Sequence, residues 1–492
     1  VGDQDQIQPL FPKTFGRPIM QGKEGDPREG KVLKVGVVFS GGQAAGGHNV
    51  ISGLFDALKT LNPQSKLIGF LGGPSGIVDN KILEITQDGI APFRNQGGFD
   101  LIGSGRTKIE TDEQLAASLK TVSDHDLDGL VVIGGDDSNT NAAILAEYFL
   151  NNGCKTAVIG VPKTIDGDLK NAYIATSFGF DTAAKTYAQM IGNIERDALS
   201  AKKYWHFIKL MGRSASHITL ECALATHPNI ALIGEEVAAK KMTLAQVTKE
   251  VADVIEMRSQ KGMNYGAVLV PEGLIEFIPE MKKLIQELNA LVAEGGELDT
   301  SKLSEEAKHC YDALPEEIQK QLLLDRDPHG NVQVSMIETE KLLISAVKKE
   351  LAGRGKFAAQ NHFFGYEGRA GFPSNFDTHY CYALGFTATL LVDEGLTGYI
   401  SCVGNLHRPL QDWTVLGLPI TMLMNMEMRK GKNKSVIQKA LVDLEGKAFQ
   451  FFAENRKSWA EEDHYRYPGP IQYFGEAEMV DGIPLTMQIE SQ

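Results

Sequence analysis

The chain has 492 residues, too many for one compact core, so at least two domains are expected. At 42% hydrophobic and 23% charged residues it has the composition of an ordinary globular protein. Its net charge of −14 argues against nucleic acid or an anionic membrane surface as the main partner, so any anion site must be a local basic pocket.

Residues 1–30 are polar, with little periodicity, and read as an N-terminal arm. From 31 onward strands and helices alternate. "KVLKVGVVFS" is a buried strand, and "HNVISGLFDALKTLN" carries a helical apolar stripe. The strands "KLIGFLGG" and 129–133 follow, then a helix at 138–151 with Ser138 as its N-cap, then the strand "TAVIGVP". Short apolar strands alternating with helices predict a parallel sheet covered on both faces. A second such set begins near 182: helix 182–200, strand "WHFIKLMG", helix 214–226, strand "IALIG", helix 243–260 and strand "YGAVLVPEG". Residues 276–350 are rich in Glu, Lys and Leu and read as a helical insertion, followed by "HFFGYEGRAGFPSNFD" and a helix through 380–392. The Met-rich segment "TMLMNMEMRKG" (421–431) reads as a core or subunit-packing helix. Five widely spaced cysteines without a CxxC pair suit reduced thiols, with Cys222 a small buried residue. No signal-peptide core or membrane-spanning apolar run is visible, so a cytoplasmic location is expected.

Three loops follow three of the strands, where open parallel sheets bind ligands. "SGGQAAGGHN" is glycine-rich and precedes a helix, which suits an anion, although it is neither GxGxxG nor GxxxxGK[ST]. "GGDDS" places Asp136 and Asp137 at a turn of the phosphate-binding kind. Carboxylates fit there if a metal lies between them and the phosphate oxygens, and Mg²⁺ takes one or two carboxylates with water and phosphate. In "PKTIDGDLKN", Asp166 and Asp168 lie two apart. One could take a proton from an attacking hydroxyl while the other stays on the metal side, with Lys163 supplying positive charge. Each loop taken singly also reads as a structural turn or cap.

In order along residues 33–425, "SGGQ", "GGDDS", "PKTIDGD", "MGRSAS", "VPEG" and "FFGYEGR" resemble the phosphofructokinase superfamily. The pairing of GGDD with PKTID resembles its pyrophosphate-dependent branch, in the long form that includes the plant β-type catalytic subunit. The resemblance implies two Rossmann-like three-layer α/β domains with a helical insertion. Residues 31–180 plus about 368–430 would bind pyrophosphate and Mg²⁺. Residues 181–367 would bind fructose 6-phosphate, with the insertion at about 276–350, and 431–492 would be a helical or extended C-terminal segment. It implies reversible, Mg²⁺-dependent phosphoryl transfer between pyrophosphate and fructose 6-phosphate, giving fructose 1,6-bisphosphate and phosphate.

The implied roles attach to particular residues. Gly42 would offer its N–H to pyrophosphate, Arg106 would lie near the phosphates, and Asp136 would contact Mg²⁺. Asp166 would deprotonate the sugar 1-hydroxyl, Lys163 would stabilise the transferring group, and Asp137 would set donor specificity. Thr164, Ile165, Asp166, Met211, Gly212, Arg213, Glu272, Tyr366, Glu367, Gly368 and Arg369 would hold the sugar phosphate. Lys203 and Tyr204 would reach a neighbouring subunit's sugar phosphate, which implies a homodimer or larger assembly, or a complex with a related subunit.

Asp137 would stand where the α-phosphate of ATP lies. Two like charges ~4 Å apart at an effective dielectric of ~20 repel by about 4 kcal/mol, roughly a thousandfold in rate or affinity. That excludes ATP by a built-in clash. The chain departs from the superfamily at Ala44-Ala45-Gly46, where Ala-Pro-Gly is common; losing the proline loosens the loop by of order ~1 kcal/mol. An ATP-dependent phosphofructokinase is disfavoured by Asp137 and Lys163, and a non-catalytic regulatory subunit by the intact Asp136, Lys163 and Asp166. NAD or lipid kinases lack the PKTIDGD, MGR and YEGR set, and a dinucleotide-dependent oxidoreductase would need GxGxxG.

Overall fold

The computed structural model describes residues 3–25, 30–293, 299–324, 332–429, 432–469 and 487. Its strands, in chain order, are β1 (Met20–Gln21), β2 (Lys34–Ser40), β3 (Lys66–Phe70), β4 (Ile82–Ile85), β5 (Ser104–Gly105), β6 (Gly129–Gly134) and β7 (Ala157–Pro162). They continue as β8 (Trp205–Leu210), β9 (Ile230–Ala231), β10 (Gly266–Pro271), β11 (Ala359–Phe364), β12 (Tyr399–Gly404), β13 (Thr414–Pro419), β14 (Met424–Arg429) and β15 (Lys432–Ile437). The larger sheet has nine strands in the order β1-β13-β12-β7-β6-β2-β3-β4, with β5 added beside the end of β2. Its centre, β12-β7-β6-β2-β3, is parallel; β13 and β4 are antiparallel additions. The smaller sheet, β11-β8-β10-β9, is parallel throughout.

The β2, β6 and β7 strands are buried along almost their whole length because helices cover both faces, which is why they read as unbroken apolar runs. Helices Gly47–Leu61 and Asn375–Asp393 pack together on one face, where Gly385 approaches the backbone of Val50 too closely for any side chain. The insertion forms helices Pro279–Ala293, Glu305–Ala313, Glu316–Leu324 and Thr339–Leu351. Their Leu284, Leu288, Ile318, Leu322 and Leu343 share one core with Phe207 and Val268 of the smaller sheet, so the insertion thickens that core.

Several local expectations are corrected. Helix 138–151 begins at Asp136 with Gly135 as its N-cap; Ser138 lies inside the first turn, and its hydroxyl donates to Ser40 Oγ at 2.8 Å. The Met-rich segment is not helical: after a short turn at Ile420–Leu423 it runs as β14, hairpinned to β15. Met424 and Met426 pack on the core and alternate with Asn425 and Glu427, a period of two, and residues 430–431 lie outside the described set. Helix 214–226 starts only at His217, and "IALIG" pairs over Ile230–Ala231 before turning into helix Gly234–Ala239. The helix expected at 380–392 starts earlier, at Asn375, because Ser374 caps it by accepting from Asp377 N.

The N-terminal segment is tied to the larger sheet's layer by one carboxylate. Buried Glu147 accepts from Lys13 N at 2.9 Å, Thr14 N at 3.0 Å and Thr14 Oγ1 at 2.9 Å, while Ile7 and Phe11 enter the core. Removing the acceptor leaves partly buried donors unmatched, at ~1–3 kcal/mol each. Glu147→Ala should therefore free the arm: trypsin should cut after Lys13 at doses that leave the wild type intact, and the melting temperature should fall.

Candidate functional site

The registers set the site. Phe39 pairs with Ile133, and Ile133 with Val161, so β2, β6 and β7 end level and their loops leave side by side. In the first loop Gly41 is left-handed at φ 90°, a conformation that favours glycine. Gly41 N donates to Gly105 O at 2.8 Å, and Ser104 Oγ donates to Gly41 O at 2.7 Å. Three cations surround this backbone. Lys163 Nζ donates to Gly42 O at 2.6 Å. A Cβ on Gly42 would stand only 3.7 Å from Arg369 Nη1 and 3.8 Å from Arg106 Nη2. A cavity of about 460 Å³ opens here, lined by Gly41, Gly42, Phe99, Ser104, Arg106 and Arg369.

In the second loop the Asn139 side chain donates to the carbonyls of Gly134 and Gly135 at 2.7 and 2.9 Å, fixing the turn that starts helix Asp136–Asn151. Asp136 and Asp137 occupy its first turn, where the macrodipole favours negative charge. Asp137 Oδ2 lies 3.2 Å from Lys108 Nζ, with both side chains partly exposed.

The third loop is held by Lys163 N donating to Gly134 O, Asp166 N donating to Thr164 Oγ1, and Ser177 Oγ donating to Thr164 O. Gly167 is left-handed and lets the chain turn between the two aspartates. Lys163 is buried, and burial lowers its pKa to about 8 against the pull of Asp166 and Asp136; Arg106 and Arg369 lower it further. Burial raises the Asp166 carboxyl, and Glu272 adds to this, against Lys439, Arg213 and Lys163. Asp168 is pushed up to about 6, first by burial and then by Asp166.

The smaller sheet contributes the opposite wall. Met211 N donates to Phe364 O at 2.9 Å, so "MGRS" and "FGYEGR" leave β8 and β11 together. Gly212 is left-handed at φ 132°, and its N–H donates to Glu272 Oε2 at 3.0 Å. Glu272 is 3% exposed, and burial raises its pKa. Gly368 packs against the Tyr187 ring, where a Cβ would clash, and the Tyr187 hydroxyl donates to Gly365 O. Tyr366 is exposed beneath the Arg369 guanidinium, which lies 4.4 Å from its ring centre. Glu367 accepts from Gly365 N and so shapes the turn.

Most of the expected residues therefore converge: Gly42, Arg106, Lys163 and Arg369 around the first loop, and Asp166 within the electrostatic reach of Arg213 and Glu272. Lys203 and Tyr204 do not join them. They precede β8, whereas Met211 follows it, and a six-residue strand spans ~20 Å. Two residues escape the sequence reading. Lys108 was passed over beside Arg106. Lys439 lies 3.6 Å from Asp136 Oδ2 and 3.7 Å from Asp168 Oδ2, and its Nζ donates to Ser214 Oγ at 2.8 Å. Burial opposes its charge, but Asp136 and Asp168 outweigh burial and raise its pKa. The available signal was a lone lysine in the apolar run "SVIQKALV".

Among the described residues no three His, Cys, Asp or Glu side chains cluster closely enough to hold a metal by themselves. That donor set still suits Mg²⁺, which needs only one or two carboxylates beside water and phosphate. Asp136 and Asp168 already share one cationic nitrogen between them, so the space between the two carboxylates accommodates positive charge. No helix among the described residues is long and apolar enough to cross a membrane.

Comparison with known proteins agrees with this geometry. The family model described as phosphofructokinase matches residues 34–392. The chain is 56% identical to pyrophosphate–fructose 6-phosphate 1-phosphotransferase of Treponema pallidum (strain Nichols), with 100% of this chain and 91% of that protein covered. It is 55% identical to the β subunit of the enzyme of that name from Solanum tuberosum, covering 96% of this chain and 86% of that one. The crystal structure of pyrophosphate-dependent phosphofructokinase from Marinobacter aquaeolei shares the fold, with a TM-score of 0.60 at 16% identity over 90% of this chain and 94% of that one. A phosphofructokinase-type pair of α/β units, with these motifs at the carboxyl ends of its strands and full-length relatives at more than half identity, places the chain in the phosphofructokinase family.

Proposed function

We propose that this chain transfers a phosphoryl group reversibly between pyrophosphate and the 1-hydroxyl of fructose 6-phosphate, forming fructose 1,6-bisphosphate and phosphate. The observation that carries the reading is the position of Asp166. Lys163 from the donor loops and Arg213 and Glu272 from the smaller sheet all act on its charge, as a base between two substrates requires.

Phosphoryl transfer asks little covalent chemistry of a protein, so positioning and charge dominate. Gly42 and Arg106 hold the pyrophosphate beside Lys163, whose ammonium steadies the group in flight. Asp166 receives the proton of the sugar hydroxyl, and burial makes it a stronger base than a solvated carboxylate. Arg213 and Arg369 offer fork-shaped donors to the 6-phosphate. Met211, Gly212, Glu272 and Tyr366–Arg369 line the sugar subsite beside Thr164 and Ile165. Asp136 would hold Mg²⁺, which when bound neutralises charge on the phosphate oxygens.

Lys203 and Tyr204, at the far end of β8, complete a neighbouring subunit's sugar site, so the active form is at least a dimer or a complex with a related subunit. A cytoplasmic location suits a glycolytic step on soluble phosphates. An ATP-dependent kinase is the weaker reading, because Asp137 places a carboxylate in the first turn beside the donor loops. Its ion pair with Lys108 fixes that carboxylate and also offsets part of its charge, so steric filling shares in the exclusion.

Fructose 1,6-bisphosphate formation should require pyrophosphate in the wild type; equal rates with ATP would overturn the donor assignment. Asp166→Asn should lower kcat by roughly 10²–10⁴-fold, the usual contribution of a general base, without unfolding the chain. Asp137→Gly should lose most pyrophosphate activity and gain measurable ATP use. Lys163 is charged below about pH 8 and neutral above it. The KM for pyrophosphate should therefore rise as pH passes upward through 8, and Lys163→Arg, which stays protonated, should remove that dependence. A KM flat with pH in the wild type would show that the Lys163 charge is not what binds the donor.

A further inference from the structure

The segment that carries Lys439 is fastened at several points. Ile437 N donates to Thr140 Oγ1 at 3.1 Å, on the helix that begins with Asp136. Ala440 N donates to Asp168 O at 2.7 Å, in the third loop. His217 Nε2 donates to Ala440 O at 2.9 Å, and Val442 N donates to Glu235 Oε1 at 3.0 Å, on elements packed against the smaller sheet. The backbone at 437–442 thus laces the two α/β units together beside the site. Its fixing leaves the four-carbon Lys439 side chain as the part that can move.

The ammonium makes its hydrogen bond to Ser214, a neutral partner, while Asp136 and Asp168 stand 3.6 and 3.7 Å away. It sits between the two carboxylates and bonds tightly to neither. Two half-buried or buried carboxylates that face each other need a cation between them, because like charges in a medium of reduced dielectric repel strongly. Lys439 answers that need without any added ion. The same position conflicts with a divalent metal, since an ammonium close to a ligating carboxylate repels a dication and shields its ligand.

We infer that Lys439 is the resident counter-cation of the Asp136–Asp168 pair and that it competes with the divalent metal for Asp136. This rests on the reading of Asp136 as the metal contact. Before a donor binds, Lys439 bridges the two carboxylates and lowers affinity for free metal. When a metal–pyrophosphate complex enters, the anionic donor draws the ammonium off the carboxylates, so metal and donor bind together rather than metal alone. Lys439 is a positioning residue of the donor site, supplied by the C-terminal segment.

The test is a titration of the full-length protein with Mn²⁺ in the absence of pyrophosphate, with free Mn²⁺ read by electron paramagnetic resonance. Lys439→Met should bind Mn²⁺ about tenfold or more tightly than the wild type, because one repelling charge has been removed. Its melting temperature should rise more on adding Mn²⁺ than that of the wild type. Lys439→Arg should keep the weak affinity. Ser214→Ala removes only the ammonium's hydrogen bond and leaves the carboxylates untouched. It should tighten Mn²⁺ binding by about threefold, as loss of one modest hydrogen bond allows, and it serves should Lys439→Met fail to fold. Asp136→Asn should abolish binding in every background. If Asp136→Asn loses Mn²⁺ while Lys439→Met or Ser214→Ala binds it no better than the wild type, the competition is refuted and the metal assignment stands. If Asp136→Asn binds as the wild type does, the metal assignment itself falls, and the inference with it.

Discussion

The site depends on packing acidic and basic groups together at the ends of three parallel strands. Burial raises the Asp166 carboxyl, burial and the neighbouring Asp166 and Asp136 raise that of Asp168, and all three side chains are partly or largely withdrawn from water. At ~4 Å and a dielectric of ~20, every like-charged pair costs about 4 kcal/mol. The fold meets that cost with cations brought from distant places: Lys163 from the same loop, Arg213 from the smaller sheet and Lys439 from the C-terminal segment. The acidic and basic members are useful only in combination. In the proposed reaction the carboxylates would accept a proton and a metal, and the cations would hold phosphate.

Backbone geometry makes the convergence exact enough for chemistry. The register Phe39–Ile133 and Ile133–Val161 ends β2, β6 and β7 level, so Gly42, Asp136 and Lys163 leave the sheet as neighbours although they are spread through the sequence. Small residues then let the loops approach. Gly41 takes a left-handed turn beside Lys163, and Gly273 has no space for a side chain against Arg213 O. The second wall is set likewise, since the Gly212 N–H bond to Glu272 ties the two loops that face Asp166.

Much of this was legible in the sequence because it is local. Unbroken apolar runs gave the central strands, and the order SGGQ, GGDDS, PKTIDGD, MGRSAS, VPEG and FFGYEGR gave the family. What escaped depends on contacts between distant segments. Met424 and Met426 alternate with polar residues on a short hairpin, but the density of methionine suggested a helix instead. Ser138 had the right chemistry for a cap, yet the helix starts two residues earlier because Asn139 binds the Gly134 and Gly135 carbonyls. Lys439 is remote in sequence from both its carboxylates, and only the hairpin and strap that follow β13 bring it to them.

Under the proposed function Asp137 would set donor choice, and its ion pair with Lys108 bears on how it would do so. A bare carboxylate facing a third phosphate would repel it strongly, but a lysine 3.2 Å away reduces the net charge that a nucleotide would meet. Both side chains are also partly exposed, which screens the repulsion further. Exclusion by charge alone is therefore smaller than the unpaired estimate. The carboxylate stands at the first turn of its helix, where under the proposed function it would occupy volume that a longer donor would have to enter. A side chain that fills space discriminates even where its charge is half neutralised, and under the proposed function a donor as short as pyrophosphate would have no atoms in that volume to lose.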